Sequence, residues 1–227
     1  MNIMPELLFE DNHIIAVNKK SGQIVQGDKT GDVPLSEIVK QYIKVKYNKP
    51  GDVFIGVPHR LDRPVSGVVL FARTSKSLTR LNEIFKSKDA KKTYYAICSE
   101  QPPKESDRLI NYILRNTKQN KSYISDQQTE NTKQAILDYK LVAKSEKYSL
   151  LEINLLTGRH HQIRCQLANI GCPIRGDLKY GYKRSNENGG INLHAAEIEF
   201  IHPVRKEKIV IKAPFPDEKI WKIFPNL

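Results

Sequence analysis

Residues 58–73 read PHRLDRPVSGVVLFAR, a polar segment with two prolines followed at once by an apolar run. Pro58 and Pro64 stiffen the segment, because the proline ring fixes φ. The Ser-Gly pair that follows permits a tight turn, and residues 67–73 have the valine-rich, apolar character of a buried strand. The stretch therefore predicts a rigid loop that holds Asp62 at the end of a strand.

An aspartate in this position has several interpretations. The simplest is a surface residue paired with Arg60 or Arg63, and exposed ion pairs of this kind carry little information. The chemical alternatives are a nucleophile, a general base or a metal ligand. A metal ligand is the weakest of these, because no second carboxylate lies at a suitable short spacing. Chemistry requires a side chain held in place, so Asp62 is the first candidate for a functional residue.

The charge of the chain predicts a polyanionic partner. Its 227 residues are enough for one large domain or two small ones. Lysine and arginine outnumber aspartate and glutamate by 37 to 25, which gives a net charge of +12. A basic surface keeps a protein in solution, but this excess favours nucleic acid first and an anionic membrane second. Basic clusters at 86–92 and 179–184 are expected to contact phosphates.

Cysteine use and hydropathy indicate the compartment. Cys98, Cys165 and Cys172 are an odd set without regular spacing, which fits a reducing setting rather than a disulfide framework. The N-terminal stretch lacks the basic and apolar regions of a signal peptide. No apolar run approaches the roughly 20 residues of a membrane helix. We therefore expect a soluble, cytoplasmic protein that does not bind membranes.

Strand-like segments dominate the sequence. Short apolar or alternating runs predict strands at 6–10 and 13–19 around an Asp11-Asn12 turn, and at 67–73, 93–99, 107–115, 135–145, 147–157, 191–203 and 206–215. Helical spacing predicts helices at 34–47, 75–92 and 159–171. Because several strands follow one another without a helix, we expect an α+β fold, with a largely antiparallel mixed sheet and flanking helices, in one domain spanning 1–227.

Three local features complete this prediction. In the first helix, Leu35, Ile38, Tyr42 and Val45 fall near helical spacing and predict the buried face. The polar segment 116–134 predicts a mobile or weakly paired hairpin. The segment 183–190, KRSNENGG, predicts a disordered loop tip.

The histidine pair within LLTGRHHQIRCQL, residues 155–167, allows a zinc site or a structural role. Zinc would use His160, His161 and Cys165. This arrangement is poor, because adjacent helical side chains point about 100° apart and no further ligand pair completes a tetrahedral set.

Arg164 is the more informative residue of this helix. It lies about 100° from Ile163 around the helix, at the border of the apolar stripe. From there it either snorkels to solvent or turns inward to a carboxylate in a two-pronged geometry. The preceding turn, Thr157-Gly158-Arg159, offers backbone N–H groups suited to an anion.

The segment KKTYYAI, residues 91–97, places Tyr94 and Tyr95 side by side on a strand. Their side chains must face opposite sides of the sheet. Strand aromatics most often belong to the core, whereas one that faces a cleft stacks on a base. The pattern does not decide between the two tyrosines.

Taken together, these motifs resemble those of the RluA-type RNA pseudouridine synthases, over nearly the whole chain. Five segments match in order: IIAVNKKSGQIVQ (14–26), HRLDRPVSG (59–67), KTYYA (92–96), LLTGRHHQIRCQLANIGCPIRGDLKYG (155–181) and NLHAAEIEFIHP (192–203). The chain departs from the family pattern at Lys20, where proline is usual, at Val65, where threonine is usual, and at Gln166, where histidine is frequent. These departures bear on the substrate more than on activity.

The resemblance implies the pseudouridine synthase catalytic fold and the isomerisation of uridine to pseudouridine in RNA, without cofactor or metal. Asp62 is implied as the catalytic carboxylate, kept ionised by Arg164. Tyr94 is implied to pack on the uracil and to handle the proton on carbon 5. The uridine must first leave its stack, and Arg60 is implied to fill the vacated space. Further substrate contacts are implied for His59, Thr157, Gly158, Arg159 and Ile163.

The implied substrate is transfer RNA or large-subunit ribosomal RNA, handled by a monomer with no obligatory protein partner. Many relatives carry a small RNA-binding domain before the catalytic one. We expect no such domain here, because the match starts near residue 6. The rival hypotheses are a non-catalytic RNA-binding protein of the same fold, which would tolerate Asp62→Ala, and a metal-dependent nuclease, which needs a carboxylate cluster.

Overall fold

The computed structural model describes residues 4–28, 30–125 and 127–224. Its contacts divide the chain into two compact units. The first comprises residues 1–90 and 195–214, and the second comprises residues 91–194 and 215–227. The single domain expected from the sequence stays a prediction, and the two units are described in turn.

The first unit contains a small sheet with two helices. Its elements are β1 (Leu7–Glu10), β2 (Ile14–Lys19), α1 (Leu35–Lys46), β3 (Ser66–Ala72), α2 (Ser75–Ser87), most of β9 (Leu193–Ile201) and β10 (Lys208–Lys212). The strand order is β1-β2-β3-β9, with β10 paired to β9. The β1–β2, β2–β3 and β9–β10 ladders are antiparallel.

Local sequence explains how these elements begin and pack. The Asp11 carboxylate accepts hydrogen bonds from the backbone N–H groups of His13 and Ile14, which closes the predicted turn between the first two strands. Thr74 caps α2 by accepting from the N–H of Ser77. The apolar faces of the strands and of α2 then form one core.

The sequence predicted the buried face of α1 only in part. Leu35 and Ile38 are buried as expected, whereas Val45 is 70 % exposed and Val39 and Ile43 are buried instead. Tyr42 is half-buried. Seven residues fall short of two helical turns by only about 20°, so Ile38 and Val45 share a face. Val45 is exposed because it lies in the last turn of α1, which ends at Lys46.

The second unit contains a long, twisted antiparallel sheet. Its elements are β4 (Lys91–Cys98), β5 (Ser106–Asn116), β6 (Lys121–Ser125), β7 (Thr132–Lys144), β8 (Ser149–Leu155), α3 (Gln162–Asn169) and a short 3-10 helix (Leu178–Tyr180). The strand order is β4-β8-β7-β5-β6, and each of these ladders is antiparallel. A second apolar cluster packs around Trp221 and Phe224.

The polar segment 116–134 is more regular than the sequence predicted. β6 pairs with the end of β5 from Tyr112↔Ser125 to Asn116↔Lys121. The side chain of Asn116 accepts from the N–H of Gln119 and so supports the connecting turn. Composition is a poor guide here, because a hairpin satisfies its backbone in the ladder whatever its exposed side chains are.

The third helix is shorter than the predicted 159–171. It begins at Gln162, because His161 has a left-handed backbone with φ 53° and cannot continue a helix toward its N-terminus. It ends at Asn169, and Gly171 follows with φ 79°, as expected of a glycine just after a helix end.

The loop 183–190 is ordered by side-chain hydrogen bonds, contrary to the prediction of a disordered tip. The guanidinium of Arg175 donates to the side-chain oxygens of Asn186 and Asn192 at 2.6 and 2.8 Å. Asn188 accepts from the N–H of Gly190. The asparagines in and beside this loop therefore hold it through side-chain hydrogen bonds.

These observations confirm an α+β fold with a largely antiparallel sheet and flanking helices. Within the described segments, no helix combines the length and the apolar character needed to cross a membrane.

The contact between Gly67 and Ala195 yields a stability prediction. A Cβ at Gly67 would lie 2.2 Å from the Ala195 carbonyl oxygen, and the glycine has φ 117°. Gly67→Ala should therefore lower the free energy of unfolding by at least about 3 kcal/mol, through strain and overlap together. Urea unfolding followed by circular dichroism measures this loss.

Gly22→Ala is the matched control. Gly22 also has a positive φ, 88°, but nothing lies within 4 Å of its Cβ position. It should lose only the backbone term, about 1–2 kcal/mol. Equal losses in the two variants would show that the close approach to Ala195 contributes nothing.

Candidate active site

The loop that carries Asp62 is held by hydrogen bonds from a buried lysine. The ammonium of Lys19, which has no exposed surface, donates to the backbone oxygens of Lys20, Arg63 and Val65 at 3.2, 3.0 and 2.6 Å. The Asp62 carbonyl accepts from the N–H of Val65 and closes a tight turn. The backbone that follows the aspartate is thus held by one cation.

Ser21 and Gly22, in the turn after β2, also support this loop. The N–H of Gly22 donates to the Arg63 oxygen, and the Ser21 hydroxyl donates to the Pro64 oxygen. Every carbonyl from residue 62 to residue 65 therefore accepts a hydrogen bond. Such a loop gives a side chain the fixed position that the sequence predicted from the two prolines.

Burial dominates the electrostatics of Lys19. It lowers the pKa of the ammonium to about 7, the Asp62 carboxylate opposes this shift, and the Arg63 guanidinium adds to it. Three carbonyl acceptors match the three donors of an ammonium, which favours the charged form. With a pKa of about 7, Lys19 can be charged or neutral near neutral pH, and it lies next to the Asp62 turn.

The arginines beside Asp62 have separate roles. Arg63 pairs with Asp32, with 2.6 Å between Nη2 and Oδ2. Arg60 is exposed and forms no hydrogen bond or ion pair with the part of the chain that is described. His59 is half-buried, accepts from the N–H of Leu70 at 2.9 Å and packs on an aromatic ring of α2. Of these two exposed arginines, Arg60 is therefore the one whose guanidinium is not paired within the described residues.

The structure separates the roles of the two tyrosines on β4. Tyr95 donates to Glu152 at 2.7 Å and packs edge-on against Phe215, so it belongs to an internal cluster. Tyr94 is only 8 % exposed and lies on the opposite face of the strand. The tyrosine that the resemblance selected is therefore the one outside this cluster.

Arg164 forms a buried fork with an aspartate that the sequence reasoning missed. Its Nε and Nη2 donate to the two carboxylate oxygens of Asp177 at 2.7 and 2.8 Å. Arg164 is 5 % exposed and Asp177 is 1 % exposed. The guanidinium carbon also lies 5.1 Å from the ring centre of Tyr180. The plane of the guanidinium is thus fixed from two directions.

The predicted position of Arg164 at a solvent border was wrong, because α3 is enclosed on every side from Gln162 to Leu167. The inward orientation was correct in kind, since the arginine does meet a carboxylate in a fork. The fork with Asp177 uses two of the three guanidinium nitrogens. The expected pairing of Arg164 with Asp62 stays a prediction.

The two histidines also differ from the sequence expectation. Their rings stack, with centres 3.8 Å apart, because the left-handed backbone of His161 turns both side chains to one side. Nδ1 of His161 lies 3.0 Å from the Tyr180 hydroxyl, and Nδ1 of His160 lies 2.9 Å from the Ser122 hydroxyl. Burial holds the pKa of His161 far below its ordinary value.

The cysteine of the possible zinc set is engaged elsewhere. The thiol of Cys165 donates to the Ser122 carbonyl at 3.4 Å. Among residues 4–28, 30–125 and 127–224, no three histidine, cysteine or acidic side chains are grouped in a way that would hold a metal ion.

The turn before α3 uses most of its backbone donors within the protein. The N–H of Arg159 and the hydroxyl of Thr157 both donate to the Gln162 side-chain oxygen, at 3.0 and 2.8 Å. The N–H of Thr157 donates to the Ile136 oxygen. Ile163 is buried. An anion at this turn would therefore depend on Gly158 and on nearby side chains.

Lys19 and Asp177 were not identified as site residues from the sequence. Each lies inside a segment that carried the resemblance, IIAVNKK and RGDLKYG. A lysine that ends an apolar strand and an aspartate between glycine and leucine give no local sign of burial. Their roles depend on partners 46 and 13 residues away.

Comparison with known proteins identifies the family of the chain. The family described as RNA pseudouridylate synthase matches residues 13–169. A tRNA pseudouridine synthase C of Vibrio vulnificus is 30 % identical, over 96 % of this chain and 93 % of its own length. A ribosomal large subunit pseudouridine synthase C of Vibrio parahaemolyticus is 31 % identical, over 97 % and 69 %. The solved structure of human RNA Pseudouridylate Synthase Domain Containing 4 has a TM-score of 0.80 at 20 % identity, covering 93 % and 89 %.

The fold and the match over 13–169 define an RNA-modifying isomerase. The chain belongs to the RNA pseudouridylate synthase family, and its activity is the isomerisation of uridine to pseudouridine in RNA. The predicted family, fold and enzyme class are confirmed. The non-catalytic RNA-binding alternative is not favoured.

The buried ammonium of Lys19 predicts a pH-dependent stability. The folded chain releases the Lys19 proton near pH 7, whereas the unfolded chain keeps it until about 10.5. Between these values the unfolded state binds more protons, so wild-type stability should rise with pH relative to Lys19→Met. The gain should not exceed about 1.4 kcal/mol per pH unit.

Urea unfolding of both proteins from pH 6 to pH 9.5 measures this difference. Lys20→Met, at the exposed neighbouring position, is the control and should follow wild type at every pH. A constant difference between wild type and Lys19→Met would mean that the three carbonyls keep the ammonium charged throughout.

The Arg164–Asp177 fork predicts a large coupling energy. Arg164→Met leaves the Asp177 carboxylate buried without its counter-charge and should lower the free energy of unfolding by about 3–5 kcal/mol. The double variant Arg164→Met/Asp177→Leu should recover much of this loss, because it removes both charges. Denaturant unfolding of the single and double variants gives the coupling.

Arg108→Met provides the comparison for this fork. Arg108 and Asp138 form the same two-pronged pair at 2.6 and 2.8 Å, but on the surface of the same unit. Its loss should cost less than about 1 kcal/mol. Similar costs at positions 108 and 164 would contradict the importance of burial.

Proposed function

We propose that Asp62 is the catalytic carboxylate of this pseudouridine synthase, and that Tyr94 and Arg164 act with it on one uridine. The observation that carries the proposal is the rigid Asp62 turn, in which Lys19 binds the carbonyl oxygens of Arg63 and Val65, one and three residues after the aspartate. A stability role alone does not require such support around a partly exposed acidic side chain. The match of the family over this segment supports the same assignment.

The reaction is an isomerisation and balances without a co-reactant. The bond between N1 of uracil and C1′ of ribose breaks, the base rotates, and C5 bonds to C1′. C5 loses its proton, and N1 gains one. Asp62 acts as an anion, either on the base or at the sugar. No cofactor or metal enters this sequence of steps.

Tyr94 is proposed to pack against the uracil and to handle the C5 proton. A phenol ring held on a strand supplies both an apolar surface and one hydroxyl group. Its 8 % exposure is that of a residue nearly covered by its own protein, as a base-stacking platform at the floor of a site would be.

Arg164 is proposed to orient Asp62 and to keep it ionised. The fork with Asp177 supports this role, because it fixes the guanidinium plane while the third nitrogen stays outside the fork. Lysine at position 164 would keep the charge but lose the planar geometry.

Arg60 and His59 are proposed to help expose the uridine. Removing a uridine from its stack costs a few kcal/mol. Arg60 is exposed and has a planar guanidinium that stacks in the vacated space. His59 is held by the Leu70 N–H and so positions the start of the loop.

The proposed substrate is structured RNA, either transfer RNA or large-subunit ribosomal RNA. The names of the two Vibrio relatives support both classes. The net charge of +12 supports binding through phosphates. We infer that the enzyme acts as a monomer in the cytoplasm. Pseudouridine mapping of total RNA from cells with and without the gene identifies the target.

Asp62→Asn tests the assignment of the carboxylate. The amide is nearly isosteric but is not an anion, so pseudouridine formation should fall by at least about 10³-fold while RNA affinity stays the same. The assay uses purified protein, the mapped RNA and excess EDTA, and wild-type activity should persist in EDTA. Tritium release from C5-labelled uridine measures the rate.

Asp52→Asn is the matched control, because Asp52 is exposed in the same connecting segment. It should retain wild-type activity. Full activity in Asp62→Asn would overturn the assignment and restore the alternative roles of Asp62. Loss of wild-type activity in EDTA, with recovery on adding zinc or magnesium, would restore a metal-dependent mechanism.

A further inference from the structure

Lys92 is a half-buried lysine whose ammonium has no partner among residues 4–28, 30–125 and 127–224. It is the second residue of β4, and no carboxylate or hydrogen-bond acceptor of the described chain pairs with its ammonium. Most other lysines of the chain are exposed, including its neighbour Lys91. Burial lowers the pKa of Lys92, and no acidic group opposes this shift.

Partial burial of the Lys92 ammonium is energetically unfavourable unless an anion binds to it. An ammonium removed from water loses hydration, and only a counter-charge or several acceptors restore the loss. Lys19, which is more deeply buried, has three carbonyl acceptors. The contrast within one protein indicates that the partner of Lys92 is supplied from outside.

The surroundings of Lys92 are open on one side. The register Thr93↔Asn154 sets the start of β4 beside the end of β8, which continues into the 156–159 turn. A Cβ on Gly158 would lie 3.8 Å from the Lys92 Nζ. Gly158 is exposed and has no side chain. The ammonium is therefore reached over bare backbone, which a bulky anion such as a phosphodiester can approach closely.

Lys92 also shares a face with the tyrosine proposed to hold the uracil. Residues two apart on a strand point to the same side, and they are separated by roughly 7 Å along the strand. If a base packs against Tyr94, the sugar-phosphate backbone of that nucleotide would lie toward Lys92. Lys91 points to the other side of the same strand and has no such relation.

We propose that Lys92, beside the open backbone of Gly158, binds a phosphodiester of the RNA at the nucleotide held against Tyr94. The proposal rests on the proposed function, because it places the modified uridine at Tyr94. It distinguishes one lysine from the basic cluster 86–92 by its burial and by its face of the strand. Its contribution is to hold the strand at the modified nucleotide.

The test compares Lys92→Met with Lys140→Met, which removes the same charge from an exposed position on β7 of the same unit, outside the basic clusters. The probe is a labelled, unmodified transcript spanning the uridine that mapping assigns to the enzyme. Its dissociation constant is measured by fluorescence anisotropy from 50 to 400 mM KCl. Lys92→Met should reduce the log–log salt slope by about 0.7, the value for one single-strand phosphate. Lys140→Met should leave the slope within about 0.2 of wild type.

Thermal stability excludes a purely structural role. Lys92→Met keeps the aliphatic stem and removes a poorly solvated charge, so its melting temperature should equal or exceed that of wild type. Lys92→Arg keeps the charge and should keep the salt slope. An unchanged slope in Lys92→Met, or an equal change in Lys140→Met, would overturn the proposal. So would a lowered melting temperature together with lost binding in both Lys92→Met and Lys92→Arg.

The outcome is separable from that of the proposed function. If wild type forms pseudouridine and Asp62→Asn does not, the function stands whatever the Lys92 variants show. A normal salt slope in Lys92→Met would then reject the phosphate site alone. If Asp62→Asn is fully active, the assignment of the active site fails, and Tyr94 loses its proposed place beside the base.

Discussion

One buried cation holds the turn that carries Asp62 in the first unit. The Lys19 ammonium lies beneath the turn that carries Asp62, and its three hydrogen bonds go to the main chain rather than to a carboxylate. Backbone dipoles solvate the charge without neutralising it. The Asp62 carboxylate therefore stands in a positive local field, as its effect on the pKa of Lys19 shows. The loop and the cation depend on each other.

The buried cation of the second unit is paired with a carboxylate, unlike Lys19. Arg164 is neutralised by Asp177 in a fork, and Tyr180 covers the guanidinium. A neutral pair exerts a weak field at a distance. The proposed role of Arg164 therefore depends on the fixed orientation of its guanidinium more than on net charge.

The three departures from the family pattern each have a hydrogen bond in the structure. Lys20 donates its N–H to Gln23, a bond that the usual proline lacks. Val65 contributes its carbonyl to Lys19 and buries an apolar side chain. Gln166 is fully buried and donates to Asn111 at 2.7 Å. None of these substitutions removes a group from the Asp62 turn or from the Arg164 fork.

The sequence by itself determined the α+β class, most strand positions and the stiff Asp62 loop, because these depend on local periodicity and on proline. The motifs also selected Tyr94 over Tyr95, which spacing alone did not decide. The tertiary structure decided the start of α3, the order in loop 183–190 and the buried partners of Lys19 and Arg164. These features depend on contacts between residues far apart in the chain. A side chain's partner across such a distance leaves no periodic trace, so only the folded chain shows it.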